Sequence, residues 1–73
     1  MTFNIQTYKD GVPSKFTNWS GLDIDEAIEE LIYYNIVTEL YSVDELKTLL
    51  LSIKPNKHIF IGSSFFQFKI TKK

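Results

Sequence analysis

The apolar residues of this chain change their spacing twice between its two ends. They alternate with polar residues near the start and again near the end, whereas in the middle they recur at every third or fourth position. Alternation is typical of a strand with one buried face, and the longer spacing is typical of an amphipathic helix. The sequence therefore predicts an α+β fold of two layers, with strands from both ends of the chain and helices from its middle.

The size and composition of the chain limit how this fold is held together. The chain has 73 residues, no cysteine and 44% apolar residues. A chain of this size buries only roughly 60% of the surface that it exposes when unfolded. We expect residues 1–73 to form a single globular domain. Its stability, about 4 to 10 kcal/mol, would come from side-chain packing.

The first hairpin is indicated by residues 3–8 and by the Asp10-Gly11 pair that follows them. Apolar and polar side chains alternate over residues 3–8, and Asp-Gly between two strand segments favours a two-residue turn. That turn would pair Ile5 with Phe16. Because Pro13 has no N–H to donate, we expect the second strand either to lie at an edge of the sheet or to begin after Pro13.

Two amphipathic helices are predicted between the hairpins. Residues 23–35 carry an apolar stripe with helical spacing, and Asp23 with Glu26 forms a capping box at the start. Residues 43–53 carry a second stripe, preceded by a capping box that begins at Ser42. Each helix is expected to bury one face against the sheet.

The remaining elements are also predicted from alternation. Residues 36–41 are rich in β-branched side chains and alternate, which favours a short strand, with continued helix as the alternative. Residues 57–61 and 64–71 alternate on either side of Gly62-Ser63 and form a second hairpin. The predicted order of elements is therefore ββαβαββ, in a mainly antiparallel sheet.

The facing of the second hairpin follows from its turn. Any even-length turn around Gly62-Ser63 places Phe60 and Phe65 on one face, and the alternate residues on the face that meets the core. A two-residue turn at Gly62-Ser63 would also make Phe60 and Phe65 cross-strand neighbours. The predicted core joins these alternate residues with the apolar positions of the helices and the first hairpin: Phe3, Ile5, Phe16, Ile28, Leu31, Leu46, Leu49, Leu50, Ile53, Ile59, Ile61, Phe66 and Phe68.

The charged residues are divided unevenly along the chain. Eight basic residues, all lysine, and nine acids give a net charge of −1. No lysine lies between residues 16 and 46, and that stretch holds eight acids: Asp23, Asp25, Glu26, Glu29, Glu30, Glu39, Asp44 and Glu45. A solvated helix surface is one explanation of this pattern. The other is that Asp25, Glu26, Glu29 and Glu30 form a face that steers a protein partner with a basic surface.

A second candidate surface is the outward face of the C-terminal hairpin. Phe60, Phe65, His58 and Lys69 combine aromatic rings with positive charge there. Rings in such a position are covered by a helix, contact a protein, or stack on the bases of single-stranded nucleic acid. Three further aromatic residues are expected to face outward: Tyr8, Trp19 and Tyr33.

The sequence offers few groups for catalysis. It has one histidine, His58, no cysteine, and no glycine-rich loop of the kind that binds phosphate. Asp23, Asp25 and Glu26 lack the spacing of a calcium-binding loop. We therefore predict no enzyme activity, no cofactor and no metal site.

These features predict a small non-catalytic protein-binding module that uses the acidic helix face and the exposed aromatic residues. The use of lysine without arginine, with frequent Ile, Asn and Tyr, is typical of an AT-rich genome. Together with the small size of the chain, this composition favours an inhibitor or regulator encoded by a phage or mobile element. We expect no contact with membrane and a cytoplasmic location, because no apolar run approaches the ~18 residues of a membrane span and no secretory signal begins the chain. The alternatives are a single-stranded nucleic-acid-binding protein and a small homo-oligomeric structural protein.

Overall fold

The computed structural model describes the backbone of all 73 residues and every side chain except those of residues 15–17. Four strands and three helices follow one another in the order β1 (Phe3–Lys9), β2 (Val12–Leu22), α1 (Ile24–Ile32), α2 (Asn35–Leu40), α3 (Val43–Ser52), β3 (His58–Gly62) and β4 (Phe66–Lys72). The strands form one antiparallel sheet in the order β2-β1-β4-β3. The predicted α+β class with two hairpins and two amphipathic helices is confirmed.

The helices cover one face of the sheet and enclose the core. α1 packs against β1 and β2, α2 packs against β3, and α3 packs against α1. The buried apolar residues come from both layers: Phe3, Ile5, Ala27, Ile28, Leu31, Val37, Leu46, Leu50, Ile53, Ile61, Phe68 and Ile70. None of the helices in the described part of the chain has the length and apolar character needed to cross a membrane.

Both predicted capping boxes are present. The Asp23 carboxylate accepts from the Glu26 N–H at 2.8 Å, and the Glu26 carboxylate accepts from the Asp23 N–H at 3.1 Å. Ser42 and Glu45 repeat the arrangement before α3. Hydrogen bonds from the backbone and hydroxyl of Ser42 lower the pKa of the exposed Glu45 carboxyl. α1 ends at Ile32, three residues before the predicted stop.

The predicted strand over residues 36–41 is wrong, and the helical alternative is what the structure shows. Residues 35–40 form α2, which begins after the extended residue Tyr34 and ends before Tyr41. Val37 is fully buried, and its carbonyl accepts from the Tyr41 N–H at 2.9 Å. Strand propensity is a weak preference that burial against neighbouring elements overrides. Here the segment between α1 and α3 packs on β3 from the helical side of the sheet.

The first hairpin has the predicted turn and a different register. Asp10 and Gly11 both have positive φ, 52° and 78°, and Lys9 pairs with Val12 across them. Ile5 pairs with Trp19 rather than with Phe16, because the pairing of β1 with β2 shifts between Gln6 and Tyr8. A second shift lies between Phe3 and Ile5. An irregularity of this kind leaves no periodic signal in the sequence.

The register shift also changes which side chains of β2 meet the core. Trp19, predicted to face outward, is opposite Ile5 and packs partly buried against the core. The side chain of Phe16, predicted to be in the core, lies outside the described side chains. Of the two predicted placements for the second strand, the edge position is correct, and β2 begins at Val12, before Pro13.

The second hairpin has the predicted facing with a longer connection. Gly62 ends β3 and pairs with Gln67, so four residues rather than two connect the paired positions. Ile61 and Phe68 are buried, as predicted. Three residues predicted to be in the core are only half-buried: Leu49, Ile59 and Phe66. Phe60 lies opposite Lys69, so the prediction that Phe60 and Phe65 are cross-strand neighbours is wrong.

Candidate functional site

The four predicted acidic residues lie together on α1, over the β1 and β2 half of the sheet. Asp25, Glu26 and Glu29 are exposed, and Glu30 is half-buried. The opposite stripe of the same helix is buried through Ala27, Ile28 and Leu31, which fixes the orientation of the acids. We call these four residues the α1 acidic face.

Three members of the α1 acidic face also have structural contacts. Glu26 closes the capping box at the start of α1. Asp25 lies 3.9 Å from the ammonium of Lys47 on α3, and both side chains are exposed, so this pair adds little stability. Burial raises the pKa of the Tyr34 hydroxyl, and the nearby charge of Glu30 adds to the shift. Capping and pairing therefore account for part of the acid content, and Glu29 is exposed to solvent.

A shallow groove of about 400 Å³ lies on the same layer of the molecule, beside α3. Tyr41 and Leu49 contribute apolar surface to it, and Asp44, Glu45 and Thr48 complete its lining. Leu40 and Val43, on the adjoining ends of α2 and α3, are exposed. The helical layer thus combines carboxylates with accessible apolar surface.

The other face of the sheet carries no helix among the described elements. The strand register places on it alternate residues of β1, β3 and β4: Asn4, Gln6, Tyr8, His58, Phe60, Gln67, Lys69 and Thr71. None of these side chains is acidic. We call this surface the outer sheet face, and it differs from the helical layer in both charge and composition.

Aromatic rings cluster on the outer sheet face. The ring of Phe60 contacts that of Tyr8 at 5.5 Å and that of His58 at 5.4 Å, both edge to face. Phe60 is 45% exposed, and Lys69 lies opposite it on β4. The structure therefore brings together three of the four predicted hairpin residues. The fourth, Phe65, is 61% exposed in the loop between β3 and β4.

A groove of about 340 Å³ runs over the β2 side of the outer sheet face. Eight residues line it: Asn4, Ile5, Gln6, Asn18, Trp19, Ser20, Lys69 and Thr71. Amide and hydroxyl side chains predominate, so the groove suits hydrogen bonding more than apolar burial.

Sequence reasoning missed the groove and the part that Tyr8 plays in the aromatic cluster. The outward facing of Asn4 and Gln6 follows from the alternation in β1, and that signal was present. Tyr8 reaches the ring cluster because β1 lies next to β4 in the sheet. The order of strands cannot be read from the alternation within each strand.

A scan of the chain against protein-family models finds no match, and searches of curated proteins and of solved structures find no significant match either.

Proposed function

We propose that this chain is a small non-catalytic protein-binding module whose helical layer docks on the basic surface of a protein partner. The observation that carries the proposal is the separation of charge between the two faces. Residues 23–53 contain eight acids and one lysine, Lys47, a net charge of −7. A surface of one sign raises the rate of encounter with a partner of opposite charge.

Apolar surface on the same layer supports the proposal. Binding energy at protein interfaces is concentrated in a few buried anchors, while charged residues at the rim set encounter rate and specificity. The groove between Tyr41 and Leu49 is large enough to receive an apolar side chain of the partner. Asp44 and Glu45 beside it would face basic residues around that anchor.

The chemistry of the acidic face favours a partner that itself binds nucleic acid. Carboxylates on a helix present the same kind of negatively charged oxygen as a phosphate backbone, so they compete for lysine and arginine side chains. An inhibitor or regulator of such a protein, encoded by a phage or mobile element, would act by occupying that site.

We expect the double variant E29K/E30K to fold and to lose the partner. Glu29 is exposed and Glu30 is half-buried. Charges at the surface contribute typically under ~1 kcal/mol each to stability, whereas they dominate steering. The measurement is affinity capture from host lysate with three baits: the unchanged chain, E29K/E30K, and F60A as a control on the outer sheet face. A protein with a basic surface should be retained by the unchanged chain and F60A and absent from E29K/E30K. Equal retention on all three baits would contradict the proposal.

A second candidate function has its own supporting observation on the outer sheet face. Tyr8, Phe60 and His58 form a ring cluster beside Lys69, which is the combination that single-stranded nucleic-acid platforms use for base stacking and phosphate contact. The absence of arginine removes the donor best suited to bidentate contacts and places this candidate second.

Titration with a ten-nucleotide oligothymidylate tests this second candidate. Stacking on an aromatic side chain is worth about 1 to 3 kcal/mol per base, so F60A should weaken binding roughly 5-fold to 150-fold. The control is F65A, since Phe65 lies in the adjoining loop outside the ring cluster. Affinity should also fall as salt rises. Undetectable binding at low salt, or equal effects of F60A and F65A, would exclude the outer sheet face as a nucleic-acid platform.

A further inference from the structure

We propose that the free edge of β3 pairs with β3 of a second copy of this chain, joining two sheets into one antiparallel sheet. β3 pairs with β4 on one side, and the sheet order leaves its other side as an edge. Exposed strand edges present unpaired N–H and C=O groups and are templates for pairing with another chain.

The hydrogen bonds at the two ends of the β3–β4 ladder show which backbone groups face that edge. The Lys72 N–H donates to the Lys57 carbonyl and the Ser63 N–H to the Phe66 carbonyl, both at 3.0 Å. Bonded and non-bonded pairs alternate along an antiparallel ladder. In β3 the odd-numbered residues therefore bond to β4, and the even-numbered residues direct their N–H and C=O groups to the free edge.

The pattern of edge-facing groups is self-complementary. His58, Phe60 and Gly62 alternate along β3, with Phe60 at the centre. In an antiparallel pair about a twofold axis, Phe60 meets Phe60 of the other copy, and His58 meets Gly62. Each of these pairs exchanges two hydrogen bonds. The two Phe60 rings would then lie side by side on the outer sheet face.

β3 lacks the charged side chains, proline and bulges that block such pairing, whereas the opposite edge strand has a proline and irregular pairing. Charged side chains, proline and bulges are the usual protection of an edge. β2 contains Pro13 and two shifts in register. The lysines, acids and prolines of the chain all lie outside residues 58–62, and the pairing of β3 with β4 is regular throughout.

The distribution of charge favours a second copy of the chain as the partner that pairs with the free edge of β3. β3 itself carries no acid or lysine, so two copies meet there without like-charge repulsion. The α1 acidic face lies over β1 and β2, on the far half of the sheet from β3. Edge pairing through β3 therefore keeps the two acidic helices apart and leaves both faces open to a basic partner.

Exposed apolar side chains near the free edge of β3 would add buried surface to that of the paired backbones. A stable interface buries about 800 Å² on each partner, more than a short strand provides through backbone pairing alone. Phe60 is 45% exposed on β3. Leu40 is 51% exposed on α2, the helix that packs on β3. Burial of these residues would add to the interface on both faces of the joined sheet.

Sedimentation equilibrium of the purified chain tests the pairing, with F60K as the disrupting variant and F65K as its matched control. Both variants place a lysine at an exposed phenylalanine, but only F60K brings two like charges together at the twofold axis. We expect twice the chain mass for the unchanged chain and F65K, and a dissociation constant at least about tenfold higher for F60K. A monomer at all concentrations, or equal association of F60K and F65K, would overturn the proposal.

Amide hydrogen exchange of the unchanged chain gives a test that does not depend on the folding of a variant. The N–H groups of Phe60 and Gly62 should become protected as the concentration rises, whereas those of Ile59 and Ile61 should be protected at every concentration by β4. Equal protection of the Phe60 and Gly62 N–H groups at protein concentrations below and above the dissociation constant would show that copies associate elsewhere or not at all.

Discussion

Truncation of Phe68 to alanine should remove a large part of the stability of this protein. Phe68 is fully buried at the centre of the sheet, and its ring contacts Tyr34 at 4.9 Å and Phe66 at 5.2 Å. Removing a buried aromatic side chain typically costs about 3 to 5 kcal/mol. The total stability of a chain of this size is about 4 to 10 kcal/mol. Urea unfolding followed by circular dichroism should show a large decrease in the transition midpoint.

The matched control is F65A. Phe65 has the same chemistry and lies three residues away, but it is 61% exposed in a loop. Its truncation should change the free energy of unfolding by under ~1 kcal/mol, because little buried surface is lost. If F65A destabilised the protein as much as F68A, the facing of the second hairpin would be the reverse of that described.

Substitution of Gly62 by alanine should be the most damaging single change in a turn. Gly62 has φ +123°, a conformation that costs other residues roughly 1 to 3 kcal/mol. A methyl group at this position would also collide with the carbonyl oxygen of Phe66, which is backbone and cannot rotate away. We expect a loss of about 2 to 4 kcal/mol in the free energy of unfolding, since both costs apply.

Substitution of Gly11 by alanine measures the cost of the left-handed backbone conformation without a collision. Gly11 has φ +78° in the first hairpin turn, and an added methyl group would meet no described atom within 4 Å. G11A should therefore lose only the roughly 1 to 2 kcal/mol of the left-handed conformation. Comparison of the two variants by denaturant unfolding isolates the collision at Gly62. Equal losses would show that the loop after β3 relaxes freely.

The elements that sequence reasoning predicted well are those whose signals are local. The two capping boxes at Asp23 and Ser42 fix the starts of α1 and α3 through side-chain contacts within four residues. Asp10-Gly11 fixes the first turn in the same way. The alternation around Gly62 gives the facing of Phe60 and Phe68 for any loop of even length, and the loop between the paired positions Gly62 and Gln67 has four residues.

The features that sequence reasoning missed depend on contacts between distant parts of the chain. α2 forms where local preference favours a strand, because Val37 is buried between layers. Trp19 meets the core because the pairing of β1 with β2 slips by an irregularity that the sequence does not mark. The neighbourhood of Tyr8 and Phe60 requires β1 and β4 to be adjacent, and residues at opposite ends of the chain decide that adjacency.

For the candidate site, the sequence predicted the acidic charge of α1 and the outward facing of its acids, but not how the two faces of the molecule are arranged. The acids of α1 were predictable from helical spacing, and their exposure agrees with that spacing for Asp25, Glu26 and Glu29. The helical layer is largely acidic, and the outer sheet face on the other side has no acid among its described residues. The two faces exist only because both hairpins join one sheet.

We expect the acidic layer, and not net charge, to drive association with a basic protein. The most direct measurement is the association rate of the captured partner across a range of salt concentrations, for E29Q/E30Q and Q67K/T71K. Both variants shift the net charge by +2, the first on the α1 acidic face and the second on the outer sheet face. We predict a slower rate and a weaker salt dependence for E29Q/E30Q only. Equal slowing by the two variants would contradict the claim.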